Sequence, residues 1–184
     1  MSEIVFYSYM NSIKNIAETY DECFILHRWI MAKGIKFVVE LGINTGFSTV
    51  AIAMAVKENA GKMISIDIND CPVACSNIKM AALDGIWTFF KEDSCEWIRK
   101  NPPKPDDPID LLFIDSEHTE KTTYEELSLY HSHINLQGSI FLHDTKSFQY
   151  PGVLSAVYKF LSEHEDWTFR DYNTKFGLGL LQRK

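Results

Sequence analysis

The chain has 184 residues, 46% of them apolar and 13% aromatic, enough for one domain burying roughly 70% of the surface its unfolded form exposes. A net charge of −7 provides no basic face for a phosphate backbone, which excludes large nucleic acids as partners and favours a small molecule. No apolar run approaches the roughly 20 residues of a bilayer span, and the start Met1-Ser2-Glu3-Ile4 lacks the basic opening of a signal peptide, so no membrane association and a cytoplasmic location are expected.

The first stretch, residues 8 to 32, carries Ile13, Ile16, Tyr20, Phe24, Trp29 and Ile30 interleaved with Lys14, Glu18, Asp21 and Glu22. That spacing predicts one or two amphipathic helices ending before Gly34, with an aromatic cluster of Phe6, Tyr7 and Tyr9 preceding them. Residues 1 to 33 are therefore read as a helical segment in front of a core spanning 34 to 184. Cys23, Cys71, Cys75 and Cys95 form no Cys-x-x-Cys pair, and reduced thiols in a reducing compartment are the expected state.

The rest of the chain is organised around residues 37 to 56. Phe37-Val38-Val39-Glu40-Leu41 is a β-branched, apolar run that reads as a strand buried on both faces. It breaks at Gly42 and Gly46 and resumes as a helix through Ser48-Thr49-Val50-Ala51-Ile52. Strand, glycine turn and helix bring backbone N–H groups up to a ligand, and Glu40 is expected to point into the same crevice. Counted from Gly42, the later glycine positions of a dinucleotide fingerprint fall on Asn44 and Phe47, so that pattern fails.

A second strand, Met63 to Ile68, contains Asp67, 21 residues beyond Gly46 and near the position where an acid accepts hydrogen bonds from ribose hydroxyls. Pro72 to Leu83 reads as a helix begun by proline. The third strand, Ile86 to Phe90, delivers Glu92-Asp93-Ser94 to the same edge, where Asp93 serves either an adenine ring or the start of the next helix. The proline-rich connection 101 to 108 leads into strand Ile109 to Ile114, which ends in Asp115-Ser116-Glu117-His118. A helix through Tyr130 follows. Ser139 to Leu142 is the next strand, ending in His143-Asp144, and after a helix over Val153 to Leu161 the segments 167 to 170 and 176 to 181 form a hairpin.

Five consecutive strands thus end near an acid: Glu40, Asp67, Asp93, Asp115 and Asp144. Ligands of an open parallel sheet bind at the carboxyl ends of its strands. There Asp115, His118, His143 and Asp144 make a candidate site for a divalent cation, Mg²⁺ or Mn²⁺, which would lower the pKa of a substrate hydroxyl. His118, titrating near neutral pH, is the candidate base.

These motifs resemble the class I S-adenosylmethionine-dependent methyltransferases. The resemblance is to the catechol O-methyltransferase branch, and more closely to the short bacterial methyltransferases of the cephalosporin-hydroxylase and macrolide-sugar O-methyltransferase kind. It spans about residues 36 to 181. It implies a Rossmann-like α/β fold: a seven-stranded, mostly parallel sheet with an antiparallel last strand and helices on both faces. It also implies S-adenosylmethionine as cofactor, contacted by Glu40, Gly42, Asn44, Gly46, Ser48, Asp67, Asp93, Ser94 and Asp115, with Ser48 reaching the cofactor's carboxylate. Asp115, His143 and Asp144 would hold the metal, and Asp115 with His118 would carry the chemistry, O-methylation of a small-molecule acceptor. His143 departs from the family pattern, which has a glutamate there in the sugar enzymes. Dimerisation is common among such short enzymes, although no stripe in this sequence demands it. Two other readings stand beside this one: a nicotinamide-dependent oxidoreductase on the same kind of sheet, and a non-catalytic S-adenosylmethionine-binding module.

Overall fold

A computed structural model of the chain describes residues 3–17 and 19–184. Glu18, counted above among the polar positions of the first helical stretch, lies outside the described residues, as do Met1 and Ser2. Two helices open the fold, α1 (Glu3–Ile13) and α2 (Tyr20–Lys33). Phe6, Tyr7 and Tyr9 lie within α1 rather than before it, and Gly34 closes α2 in the left-handed conformation at φ 63°.

The core then alternates strand and helix: β1 (Phe37–Leu41), α3 (Phe47–Glu58), β2 (Lys62–Asp67), α4 (Pro72–Met80), β3 (Trp87–Lys91), α5 (Ser94–Lys100), β4 (Ile109–Ile114), α6 (Glu120–Tyr130), β5 (Ile134–His143) and α7 (Pro151–Glu163). The antiparallel pair β6 (Trp167–Tyr172) and β7 (Leu178–Arg183) completes one seven-stranded sheet of order β3-β2-β1-β4-β5-β7-β6. β1 to β5 are mutually parallel, and β7 inserts antiparallel against β5. The fold is thus the Rossmann-like architecture expected. β5 begins earlier than its apolar pattern suggests, because Ile134 pairs with Ile109 before the register shifts to Ser139 opposite Leu111.

Side chains alternate across this sheet with the period of two that a strand imposes. Val38, Met63, Leu111, Phe113 and Phe141 face the cluster closed by α1, α2 and α3. Val39, Leu112, Ile114, Ile140 and Leu142 face the opposite one, closed by α5, α6 and α7. Among the described residues no helix is long and apolar enough to cross a membrane. This two-sided core fixes the strand ends, and the reversal of strand order around β1 and β4 opens a crevice between their carboxyl ends.

Candidate functional site

A cavity of about 800 Å³ lies along that edge. Its near wall is the β1–α3 turn, Gly42 to Thr45, its floor Asp67 to Asp70, and its far wall Glu92 to Ser94 with Glu126. Asp115 to His118 close the remaining side. The turn depends on glycine. Gly42 has φ 85°, and a Cβ there would stand 2.0 Å from the Asp115 carbonyl oxygen. Gly46 has φ 78°, and its Cβ would meet that of Ala74 at 2.6 Å. Asn44, at φ 50°, takes the left-handed conformation that asparagine tolerates better than most side chains.

Asp67 holds this turn in shape. Its Oδ2 accepts from the backbone N–H of Ile43 at 2.8 Å and of Asn44 at 3.4 Å, while Oδ1 accepts from the Asn69 backbone at 2.8 Å. Burial would raise its pKa, but these N–H donors outweigh that and lower it. At the far wall Asp93 caps α5 by accepting from the Glu96 N–H at 2.9 Å. The Ser94 hydroxyl donates to Glu126 at 2.6 Å and the Ser116 hydroxyl to the same carboxylate at 2.7 Å. Glu126 is fully buried, and burial pushes its carboxyl up to about 7 despite both hydroxyls.

Next to the cavity the ends of β4 and β5 bring four ionisable groups together. His118 Nε2 lies 3.4 Å from Asp115 Oδ1 and 3.0 Å from Asp144 Oδ2. His143 Nδ1 lies 3.2 Å from Asp115 Oδ1 and 3.0 Å from Asp144 Oδ2. Each imidazole therefore bridges both carboxylates. The hydrogen bond to Asp115, joined by that to Asp144, raises His118 to about 9. Burial pulls the His143 pKa down, but the same two carboxylates overcome it and lift the ring to about 10. Burial likewise raises both acids, and the imidazoles reverse it and hold both below the usual carboxylate range. Asp144 sits at φ 63°, a left-handed backbone that costs of order 1–3 kcal/mol in a non-glycine residue and persists where the surroundings fix it.

The family model for a methyltransferase domain matches residues 39–145, the stretch that builds both the cavity and this cluster. The chain belongs to that methyltransferase family. The class I resemblance carried by its motifs agrees with this. Solved structures with the same fold include the O-methyltransferase TomG from Streptomyces achromogenes, in complex with SAM, at 14% identity and TM-score 0.77 over 97% of this chain and 89% of that one. An O-methyltransferase from Bacillus cereus in complex with SAH is 14% identical, with TM-score 0.74 over 96% and 91% of the two chains. The SAH-bound methyltransferase PaMTH1 from Podospora anserina is 10% identical, with TM-score 0.76 over 97% and 87%.

In this methyltransferase Gly42, Asn44, Asp67, Asp93, Ser94, Asp115 and His118 line the cavity together. Gly46 lies behind its wall, and His143 and Asp144 join the cluster without lining the cavity. Glu40 does not point into the crevice. It is fully buried, and it accepts from Ser48 at 3.0 Å and from Ser65 at 2.7 Å. The Ser48 hydroxyl is therefore turned to Glu40. The reason is register: Glu40 sits opposite Ser65 and Phe113 inside the sheet, one residue short of its edge. His118, expected to titrate near neutral pH, is instead raised, because the Asp115 and Asp144 carboxylates both face its ring. Sequence reasoning missed Glu126 and Ser116. The signal for Glu126 was present: it shares the buried face of α6 with Thr123 and Tyr130, where an acid needs a reason.

Proposed function

We propose that the protein transfers a methyl group from S-adenosylmethionine to an oxygen of a small hydroxylated acceptor, assisted by a divalent cation held by Asp115, His143 and Asp144. The observation that carries this reading is the convergence of two acids and two imidazoles beside a cavity walled by a glycine turn. One donor atom from each of the four lies within 4.8 Å of all the others, a little more than the roughly 4.2 Å between opposite ligands of one ion with bonds of about 2.1 Å, so small side-chain shifts would close them on a cation. The mixed oxygen and nitrogen set suits Mn²⁺ better than Mg²⁺, which favours oxygen alone. Bound S-adenosylmethionine supplies an electrophilic methyl on a sulfonium, and a bound cation supplies Lewis acidity towards the acceptor hydroxyl.

The chain's own residues do the rest. The Gly42–Thr45 backbone and the acid Asp67 hold the amino-acid and ribose portions of the donor, and the Asp93–Ser94 end, backed by Ser116 and Glu126, receives its base. His118 takes the acceptor's proton in its neutral form, which the two carboxylates disfavour in the metal-free protein. Tyr150 stacks on His118 with ring centroids 4.2 Å apart, and the fully exposed Phe148 stands beside it on the β5–α7 loop. These two rings shape the acceptor side, and holding donor and acceptor in line supplies most of the rate. Family membership sets aside the nicotinamide-dependent oxidoreductase.

A metal-independent enzyme is the second reading, favoured by the way the two imidazoles already bridge both carboxylates. Calorimetric titration of the metal-stripped protein with S-adenosylmethionine, repeated with Mn²⁺ and Mg²⁺, tests both. Micromolar cofactor binding with separate metal binding that is lost in Asp144→Ala is the expected result. Cofactor binding and turnover without any metal effect would favour the second reading, and no cofactor binding under any condition would overturn both.

A further inference from the structure

His143 has two ring nitrogens, and only Nδ1 faces Asp115 and Asp144. Nε2 points the other way, towards α2, and lies 4.0 Å from Glu22 Oε1. Both residues are buried, Glu22 to 1% exposure and His143 to 6%. Among the described residues Glu22 Oε1 and His143 Nε2 have no hydrogen-bond partner at normal distance, and the hydroxyl of Thr174, which approaches Glu22 from the β6–β7 loop, only partly offsets the burial that raises the Glu22 pKa. A buried carboxylate oxygen left without a partner is costly. Nothing in the packing of α2 calls for one, because Cys23, Leu26 and Ile30 already fill the inward stripe with apolar groups.

We propose that Glu22 is a positioning residue for the methyl-transfer site: its carboxylate accepts the Nε2–H of His143, which fixes the ring plane and commits Nδ1 to Asp115 and Asp144. Closing the gap from 4.0 Å to a charge-assisted hydrogen bond of about 2.8 Å satisfies both buried atoms at once. A carboxylate on one imidazole nitrogen decides which nitrogen carries the proton, and it makes the other the better donor to a cation. Glu22 thus stands behind the ring, on the side of His143 opposite the Asp115–Asp144 cluster, and reaches it from the N-terminal helix. That helix is thereby part of the site and not only a cover for the sheet. The inference rests on the reading of the Asp115–Asp144 cluster as the reacting centre.

The test uses the full chain with ¹⁵N-labelled histidine, as wild type, Glu22→Gln and Glu22→Ala, with His143→Asn to assign the signal. In the metal-free wild type the buried His143 Nε2–H should give a downfield, slowly exchanging proton resonance. It should move upfield in Glu22→Gln, whose amide oxygen still accepts, and vanish into exchange in Glu22→Ala. Titration with Mn²⁺ alone, followed by the electron-spin signal of the free ion, should show affinity weakened about 10- to 100-fold in Glu22→Ala and within a few-fold of wild type in Glu22→Gln. Thermal unfolding of each variant separates a folding defect from a local one, and the isosteric Gln variant keeps the test valid if Ala unfolds. An unchanged His143 resonance in Glu22→Ala, or equal Mn²⁺ affinity in all three proteins, would overturn the assignment. Absence of S-adenosylmethionine binding in the wild type would instead count against the functional reading, with the proton resonance still deciding Glu22.

Discussion

Two pairs of acids around the site answer burial in opposite ways. Glu40 and Glu126 are fully buried and, among the described residues, held by hydroxyls, Ser48 and Ser65 for the first, Ser94 and Ser116 for the second, and burial pushes both up to about 7. Asp115 and Asp144 each meet two imidazoles, and both stay below the usual carboxylate range although burial acts on them in the same direction. Hydroxyl dipoles do not offset the desolvation of a full charge, and a second charge does. One pair therefore carries protons near neutral pH and serves as internal framing. The other keeps its negative charge beside the cavity.

The largest expected effect comes from removing the charge that defines the second pair. Asp115→Ala should lower methyl transfer by about 10³-fold or more, judged by the loss of a preorganised charge at a reacting centre. Its affinity for S-adenosylmethionine, measured calorimetrically, should stay within a few-fold of wild type; undiminished transfer would remove Asp115 from the chemistry. His118→Gln should cost less, about 10²-fold, the low end of what a general base supplies. In the wild type the rate should climb with pH, because the two carboxylates favour the charged ring and only neutral His118 accepts a proton. That climb should disappear in the variant, and a persisting climb would assign the base elsewhere.

Stability gives the next test, and its sign follows from linkage. Glu40 and Glu126 bind protons more tightly folded, at about 7, than unfolded, at 4.5, so folding stability falls as pH rises through that window. His118 and His143 are raised to about 9 and about 10, so their contribution is complete below 6.5 and is lost as pH rises through those values. The metal-free protein should thus melt highest near pH 5 and progressively lower towards pH 9. Glu126→Gln, which keeps the shape and discards the charge, should be more stable than wild type at pH 8 by on the order of 2–3 kcal/mol. It should gain nothing at pH 4. Equal stabilisation at both values would mean the gain is packing and not the proton.

The contrast also explains what could be read from the amino-acid order. The strands and the positions of most helices follow from apolar runs and turn residues, which act locally, whereas the antiparallel last strand was implied by the family resemblance. The cluster was legible because strand ends in a parallel sheet must share an edge, so Asp115, His118, His143 and Asp144 were placed together by topology alone. The side-chain partners were not legible. Whether Glu40 faces the cavity or Ser65 depends on a register offset of one residue between strands far apart in sequence. The partner of Ser94 is Glu126, 32 residues away on another helix. Buried acids on otherwise apolar faces, Glu22 on α2 and Glu126 on α6, were the usable hint for the rest, since such a position is costly unless something answers it.

The smallest predicted effect probes how a hydroxyl-held carboxylate is supported. Trp87 Nε1–H donates to Ser65 Oγ at 2.8 Å, and that hydroxyl in turn donates to Glu40. Trp87→Phe keeps a ring beside Phe89, on which Trp87 stacks with centroids 5.8 Å apart, and removes only the N–H. Ser65 keeps its bond to Glu40, so no buried charge is left alone, and the cost should be that of one neutral hydrogen bond, about 1 kcal/mol in urea unfolding. A loss of 3 kcal/mol or more would mean that indole, hydroxyl and carboxylate act as one polarised chain, each bond strengthening the next. No loss at all would mean that Ser48 and Ser65 hold Glu40 unaided, which would sharpen the difference from Asp115 and Asp144, where removing either imidazole uncovers a full charge.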